Sequence, residues 1–423
     1  MRLVNIFTKN IFLRGIQQGI MFLIGIVIAK FLGSTGNGVF SLFITDVSFF
    51  ILLVGFCGES AILFYASGDR ITFLNIISIL IPLLVMQVLA CIIFYWISSS
   101  FLDYSLFKDS ENSSTLTWAI IFILSNIIFN YFNAYLNFRK IFFQVIYANI
   151  FLQIVFLVLL LVWQNQSIGH ESFIEAKKVI PYYTCIYIGQ MLVSVVVAFK
   201  KNKKEIVFSS PFRFLKKDML LYMLTIYVGN IVQFFAYKMD LWLLDYYHSF
   251  AVVGVYAMAA KLSQVFWILP QLMAGIIFPL IILKDETVNQ ANFRKLVKFT
   301  ILILLVIAVI MAIVYPLVIV PILGNSYTYS YTLFLYLVPG ALFFAINLLI
   351  GSKLSAKGFA KVNMQASVIC FLLILILDLL LIPTFAGKGA AIASSIGYSL
   401  SSLYSYLKYR QISKSNVDGS FST

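Results

Sequence analysis

Charge is what this chain of 423 residues has least of: charged residues make up 11% of it, against 62% hydrophobic. That leaves little polar surface to keep so long a folded chain in water, which argues against an ordinary soluble enzyme. Histidine is almost missing. His170 and His248 are the only two, too few for a histidine-rich metal site, so metal catalysis is not expected. The four cysteines, Cys57, Cys91, Cys185 and Cys370, all fall in apolar stretches and far from one another, which indicates neither a disulfide framework nor a metal knuckle. Long polar loops are lacking too. The longest outside connections run from about Ser99 to Ser114 and from Asn165 to Val179, with no room for a soluble catalytic domain.

What fills the sequence instead is a succession of apolar stretches. They lie at about 11–31, 38–62, 71–98, 115–138, 144–164, 180–199, 219–241, 251–283, 296–322, 331–350, 362–384 and 389–407. A bilayer-spanning helix needs roughly 20 apolar residues, and no soluble fold needs twelve such stretches in a row. The expected fold is an all-α polytopic membrane protein with twelve transmembrane helices in two six-helix lobes. The expected organisation is an N-terminal lobe over 1–199, a basic linker over 200–218, a C-terminal lobe over 219–410 and a tail over 411–423. The N-terminus carries Arg2 and Lys9 before an apolar run, but that run continues to Phe31 without a small-residue cleavage site and reads as the first span.

Placement of the Lys and Arg residues orients the chain. Only Lys30, Lys108, Lys177, Lys178 and Lys388 fall on the face opposite the termini, and Arg14, Lys238 and Lys261 sit within spans. All the others lie on the face that carries both ends, which the positive-inside rule assigns to the cytoplasm. The net charge of +14 is therefore topology and lipid contact, and nucleic acid is not an expected partner. In the linker, Lys200-Lys201-Asn202-Lys203-Lys204 and Pro211-Phe212-Arg213-Phe214-Leu215-Lys216-Lys217 mix cations with aromatics. This suits a helix lying on anionic lipid, and equally a plain cytoplasmic connector.

The halves echo each other. Gly38-Val39-Phe40-Ser41-Leu42 opens the second stretch, and Gly254-Val255-Tyr256-Ala257-Met258 opens the eighth, 216 residues further on; Asp69 and Asp285 repeat the offset. Because each half has an even number of spans, such a repeat is parallel, with its axis along the membrane normal. The glycine-rich run Gly33-Ser34-Thr35-Gly36-Asn37-Gly38 lies between apolar helices with no strand before it, so it reads as a tight turn and not a phosphate loop.

Ionisable groups inside a span cost about 2.5 to 3.5 kcal/mol each on insertion scales and by default face a bundle interior or an aqueous cavity. Arg14 shares a helical stripe with Gln17, Gln18 and Met21. It either offers a cation to an anionic substrate or, near the inner boundary, snorkels or pairs with Glu59. Lys261 falls near the midplane of the eighth stretch with Gln264, Ile268 and Gln271 on its face; a functional cation and a buried ion pair are both open readings. Asp46 has a similar depth in the second stretch, and the 216-residue offset maps it to the residue beside Lys261. An Asp46–Lys261 pair that breaks and reforms between lobes is the resulting hypothesis. Span seven presents Asn230, Gln233, Tyr237 and Asp240 on one face with Lys238 to the side, although Lys238 and Asp240 also read as interfacial anchors. Asp378 is a lone carboxylate in an apolar run; it either binds a coupling proton or cation, or hydrogen-bonds a neighbouring helix. Asp46, Asp240 and Asp378 are the coupling candidates. Prolines 82, 270, 279, 316, 321 and 339 interrupt the spans and permit bending.

A first span bearing Arg14, the run Phe31-Leu32-Gly33-Ser34-Thr35-Gly36-Asn37-Gly38-Val39-Phe40-Ser41-Leu42, and a second span ending Gly55-Phe56-Cys57-Gly58-Glu59-Ser60-Ala61 resemble the start of Wzx-type polysaccharide flippases. These are O-antigen and capsule translocases of the multidrug/oligosaccharidyl-lipid/polysaccharide exporter superfamily, whose six-plus-six layout the whole chain shares. The resemblance implies a V-shaped pair of lobes around a central cavity lined by spans 1, 2, 7 and 8. It implies a polyprenyl-pyrophosphate-linked oligosaccharide as substrate, held by cations at Arg14, Lys238 and Lys261. Amides and aromatics at Gln17, Gln18, Asn230, Gln233, Tyr237, Gln264 and Trp267 would then meet sugars. It also implies residence in a bacterial inner membrane, H+ or Na+ coupling in place of a cofactor, and glycan polymerase and chain-length machinery as partners. The chain has fewer central arginines than lipid II flippases, which points away from the peptidoglycan branch. A cation-coupled multidrug antiporter of the same superfamily is the second expectation. A membrane glycan polymerase or acyltransferase is a third; the first needs a large outer loop and the second a histidine in the bundle, and neither is seen.

Overall fold

A computed structural model describes residues 2–55, 84–90, 92–93, 113–139, 141–166, 172–201, 217–282 and 290–415. The basic segment after Lys201, most of the third expected span, and Cys57, Glu59, Asp69, Pro82, Cys91, His170 and Asp285 lie outside these residues. Among the described residues the chain is helical nearly throughout. Helices α1 (Arg2–Gly55), α2 (Ser113–Phe138), α3 (Phe142–Gln166) and α4 (Ser172–Lys201) come first. Then follow α5 (Lys217–Tyr247), α6 (Phe250–Ser263), α7 (Val265–Ile282), α8 (Gln290–Val314), α9 (Val320–Leu323), α10 (Thr328–Ala356) and α11 (Ala360–Ser415).

Among the described residues, seven helical stretches are long and apolar enough to cross a membrane, or eight if the pair Phe250–Ser263 and Val265–Gly275, bent by 42°, counts as one span. Two of the seven are far too long for one crossing. Phe12–Gly55 has 44 residues and Ala360–Ser413 has 54, whereas a ~30 Å hydrocarbon core takes roughly 20 residues at ~1.5 Å each. Each contains one non-helical residue, Gly33 in α1 and Ala386 in α11, close to the boundaries expected between spans 1 and 2 and between spans 11 and 12.

The expected tight turn over Gly33 to Gly38 is corrected. Helix resumes at once after a single residue, Gly33, with φ 65° and ψ −176°. Glycine reaches positive φ without a Cβ penalty, and in an apolar surrounding every residue returned to the helix keeps its backbone hydrogen-bonded. A side chain braces the break: the Tyr327 hydroxyl is shared between Ala29 O at 3.0 Å and Gly33 O at 2.9 Å. Tyr327 and Ala29 are both fully buried. The prolines have unequal effects. Pro316 sits in a π-helical turn, Tyr315–Ile319, that ends α8, whereas Pro339 is carried inside a continuous α10.

The chain divides into two compact units, one of Gly19–Val27 and Phe40–Ile231, the other of Val232–Thr423 with Met1–Gln18 and Ile28–Val39, so α1 contributes to both. In the first unit α4 packs against α2 and α3. Phe40 of α1 meets Tyr183 edge-on at 5.3 Å between centroids, and Tyr183 stacks on Phe122 at 6.0 Å; such pairs add about 0.5 to 1.5 kcal/mol to area burial. The outward side of α3 is apolar as well, with Phe151, Val158 and Leu159 exposed. An all-round apolar helix is stable when lipid covers that side.

In the second unit α10 packs against α11, α7 and α6, burying Leu333, Phe334, Leu337, Ala341, Ala345 and Leu349. Here the start of the second expected span crosses α6. The backbones touch at Gly38 and Gly254, where even a Cβ would not fit, and Asn37 Nδ2 donates to Gly254 O at 2.9 Å. Small residues are what let membrane helices approach so closely.

Candidate functional site

The polar residues of the second unit gather around α5. This helix continues past the expected end at Leu241 to Tyr247, which sets Asp240 about 10 Å inside it at ~1.5 Å per residue. Asp240 is consequently buried and is not an interfacial anchor. Its Oδ1 accepts from the Leu241 amide at 2.8 Å; its Oδ2 accepts from the Tyr256 hydroxyl of α6 and, at 3.5 Å, from Ser394 of α11. Asp378, also on α11, has no exposure at all, and among the described residues neither of its oxygens has a hydrogen-bond partner. The expectation that it bonds a neighbouring helix is therefore not met. Asp240 lies within electrostatic range of it.

Two cations belong to the same region. Lys238 is within electrostatic range of both Asp240 and Lys261, so α5 and α6 hold two like charges near each other inside the unit. An anionic group brought there would meet both cations, in competition with Asp240. Beside them stands an aromatic wall. Tyr237 and Trp267 have centroids 5.5 Å apart, Trp267 and Phe344 5.0 Å, and Phe344 and Tyr398 5.3 Å. The indole N–H of Trp267 donates to Ala341 O at 3.1 Å, which fixes the wall on α10.

Tyr237 also lines a cavity of about 410 Å³ with Gln233, Asn347, Asn363, Ser367 and Ser401. Gln233 Oε1 accepts from Ser367 at 2.6 Å, while its Nε2 and the Oδ1 of Asn347 are buried without partners. Open donors and acceptors on neutral side chains suit hydroxyl-rich ligands or water.

The other expected residues are spread more widely. Arg14 is half-buried and its Nε donates to Asn10 Oδ1 at 3.0 Å; its stripe companion Gln17 is half-buried and Gln18 exposed. Gln264 caps α6 at the bend, with its amide on Ala260 O at 3.1 Å and its carbonyl accepting from Trp267 N at 3.0 Å. Asp46 is buried and Asn230 exposed, and both belong to the first unit. The structure thus brings together Gln233, Tyr237, Lys238, Asp240, Lys261 and Asp378. It adds Tyr256, Asn347, Ser394 and Tyr398, which sequence reasoning passed over. Ser394, Tyr398, Ser401, Ser402 and Ser405 recur at helical spacing in the last span, a polar stripe that was there to be read. Lys353 was also missed: placed by the sequence at the cytoplasmic face, it is buried with its Nζ 3.9 Å from the Phe293 ring centroid.

No protein-family model and no curated protein sequence matches the chain. Solved structures do. The chain is similar to an inward-facing multidrug resistance MATE transporter of the MOP superfamily, with a TM-score of 0.64 and 13% identity over 96% of each chain. It is similar to the lipid II flippase MurJ in an inward closed conformation, with a TM-score of 0.63 and 14% identity over 92% of this chain and 87% of that one. A third likeness, with a TM-score of 0.60 and 12% identity over 96% of this chain and 95% of the other, is to a MOP-superfamily transporter from Pyrococcus furiosus described as having a binding pocket of reversed polarity. Identities this low speak to architecture. The chain is a multi-pass membrane protein with the fold of MOP-superfamily transporters.

Proposed function

We propose that the protein is a flippase that carries a polyprenyl-pyrophosphate-linked oligosaccharide repeat unit, of O-antigen or capsule type, from the cytoplasmic to the outer leaflet by alternating access. The observation that carries this reading is the aromatic wall of Tyr237, Trp267, Phe344 and Tyr398 beside a polar cavity, with the cations Lys238 and Lys261 carried by α5 and α6. Pyrophosphate is the kind of anion that offsets two such cations at once. The aromatic wall of Tyr237 and Trp267 and the amides Gln233 and Gln264 suit sugar, with Arg14, Gln17, Gln18 and Asn230 as further contacts. The charge asymmetry of the loops supports cytoplasmic termini, and the resemblance to polysaccharide flippases supports residence in a bacterial inner membrane. The basic linker would rest on anionic lipid there, and a glycan polymerase with its chain-length machinery would take the product. Transport is not itself a bond-making reaction, so no catalytic residue is assigned. The deciding experiment follows lipid-linked repeat units in cells lacking the protein. They should accumulate on the cytoplasmic face; accumulation of unpolymerised units outside would instead identify a polymerase.

A second reading, a cation-coupled multidrug antiporter, is favoured by Asp240 and Asp378, two buried acids within reach of each other. Aromatic walls bind organic cations by their ring faces. Efflux of a cationic dye driven by a proton or sodium gradient, with no effect on glycan export, would establish it over the flippase.

A further inference from the structure

A second cavity, of about 920 Å³, opens in the unit between α8, α10 and α11 and shares only Asn347 with the polar cavity. Its floor is apolar, from Ile301 of α8, Phe343 and Ile346 of α10 and Leu403 of α11. Its cations stand at one end. Arg294 and Lys298 are one turn apart on α8, and Arg410 is on α11; the neighbouring rings of Phe293 and Tyr409, 5.9 Å apart, bring Arg294 and Arg410 to the same level. All three cations are exposed, and among the described residues no acidic side chain lines the cavity. Phe299 and Leu302 beside it, like Phe343 and Leu403 within it, are exposed, the pattern of a surface covered by lipid.

We propose that this groove is a binding site for an anionic membrane phospholipid, its phosphate held by Arg294, Lys298 and Arg410 and its acyl chains laid along Ile301, Phe343, Ile346 and Leu403. The chemistry selects that occupant. A water-soluble anion would leave the apolar floor uncovered, and a zwitterionic lipid brings its own cation to a place that already holds three. A phosphate at the interface accepts charge-assisted hydrogen bonds from arginine and lysine, and the chains exclude water from them. The site is separate from the lysine pair of α5 and α6 and does not depend on the identity of the cargo.

The test is native mass spectrometry of the full chain with phosphatidylglycerol or phosphatidylcholine. One phosphatidylglycerol per chain should be retained, with phosphatidylcholine at least tenfold weaker. R294Q/K298Q/R410Q should lose at least tenfold in phosphatidylglycerol affinity, whereas K295Q/K408Q, which removes cations from the same helices outside the groove, should not. Ile346→Trp, which fills the floor and leaves the cations, should also lose binding. Each single cation variant is measured as well, so that a misfolded triple variant does not decide the matter; each should bind severalfold less well. Equal binding of the two lipids, undiminished binding by the triple or all single variants, or displacement by glycerol phosphate would overturn the proposal.

Discussion

Gly38 and Gly254 press on each other's helices reciprocally: a Cβ at Gly38 would fall 1.9 Å from the carbonyl oxygen of Phe250, and one at Gly254 would fall 1.9 Å from that of Ser34. Ser34 and Phe250 are 216 residues apart, as are the two glycines, so one contact is made twice by the two copies of the sequence echo. The obstructing atoms are backbone, which a rotamer change does not relieve. Gly38→Ala and Gly254→Ala should each cost about 1 to 3 kcal/mol, the usual range for overpacking. The double variant should cost less than the sum, because a helix pair pushed apart by one methyl already has room for the other. Thermal melts of the purified protein measure this; native-like melting of both single variants would show the crossing to be loose.

The lysine pair predicts a loss of substrate affinity. On the proposed function, Lys238→Gln and Lys261→Gln should each remove a charged contact to pyrophosphate of about 1.5 to 3 kcal/mol, or roughly 10- to 150-fold in affinity. Binding of a lipid pyrophosphate to the purified protein is the readout. A variant that binds the pyrophosphate normally while losing export would move that lysine from substrate contact to the transport cycle.

How far the sequence foretold this arrangement varies from residue to residue. Periodicity and length located the long helices, because an apolar run of membrane length has few other stable conformations. The echo at Gly38 and Gly254 was legible, since it is a matter of spacing. The immediate return to helix after Gly33 was not: a run of small and polar residues usually marks a turn, and the hydroxyl that meets the Gly33 carbonyl belongs to Tyr327, almost 300 residues away. Asp240 was read as a candidate from its type and depth, yet its partner Tyr256 figured only in the echo. Whether a tyrosine faces lipid or an acid depends on which helix packs beside it, and one chain's periodicity does not carry that information.

The acid pair predicts a separation of coupling from binding. Among the described residues Asp240 has three donors, whereas Asp378 has none. A proton or sodium ion is the missing complement to an ionised carboxylate left so far from water. Asp378→Asn should therefore reduce gradient-driven transport in proteoliposomes at least tenfold while leaving substrate affinity within about threefold. Tyr256→Phe should shift the cation dependence less, because the Leu241 amide still holds Asp240. Full gradient-driven transport by Asp378→Asn would remove it from the coupling role.

The repeat arithmetic yields a prediction of its own for Asp46 and Lys261. We propose that they pair between lobes during the cycle, in which case Asp46→Lys with Lys261→Asp should restore export that each single substitution loses. Transport by the double variant no better than either single one would remove direct pairing from the mechanism.

Tyr327 offers the cleanest test of how the break in α1 is tolerated. Its hydroxyl is the group that reaches the carbonyls of Ala29 and Gly33, and both it and Ala29 are fully buried. Tyr327→Phe keeps the ring and its packing but leaves those acceptors in an apolar surrounding, where a buried unsatisfied group costs about 1 to 3 kcal/mol. Tyr315→Phe serves as the comparison. Its hydroxyl donates to Ser330 Oγ at 2.9 Å, and that serine can still donate to Tyr327 O, so less is stranded. Melting temperature should fall further for Tyr327→Phe than for Tyr315→Phe. Equal losses would mean that the break at Gly33 relies on its glycine alone and not on the tyrosine beside it.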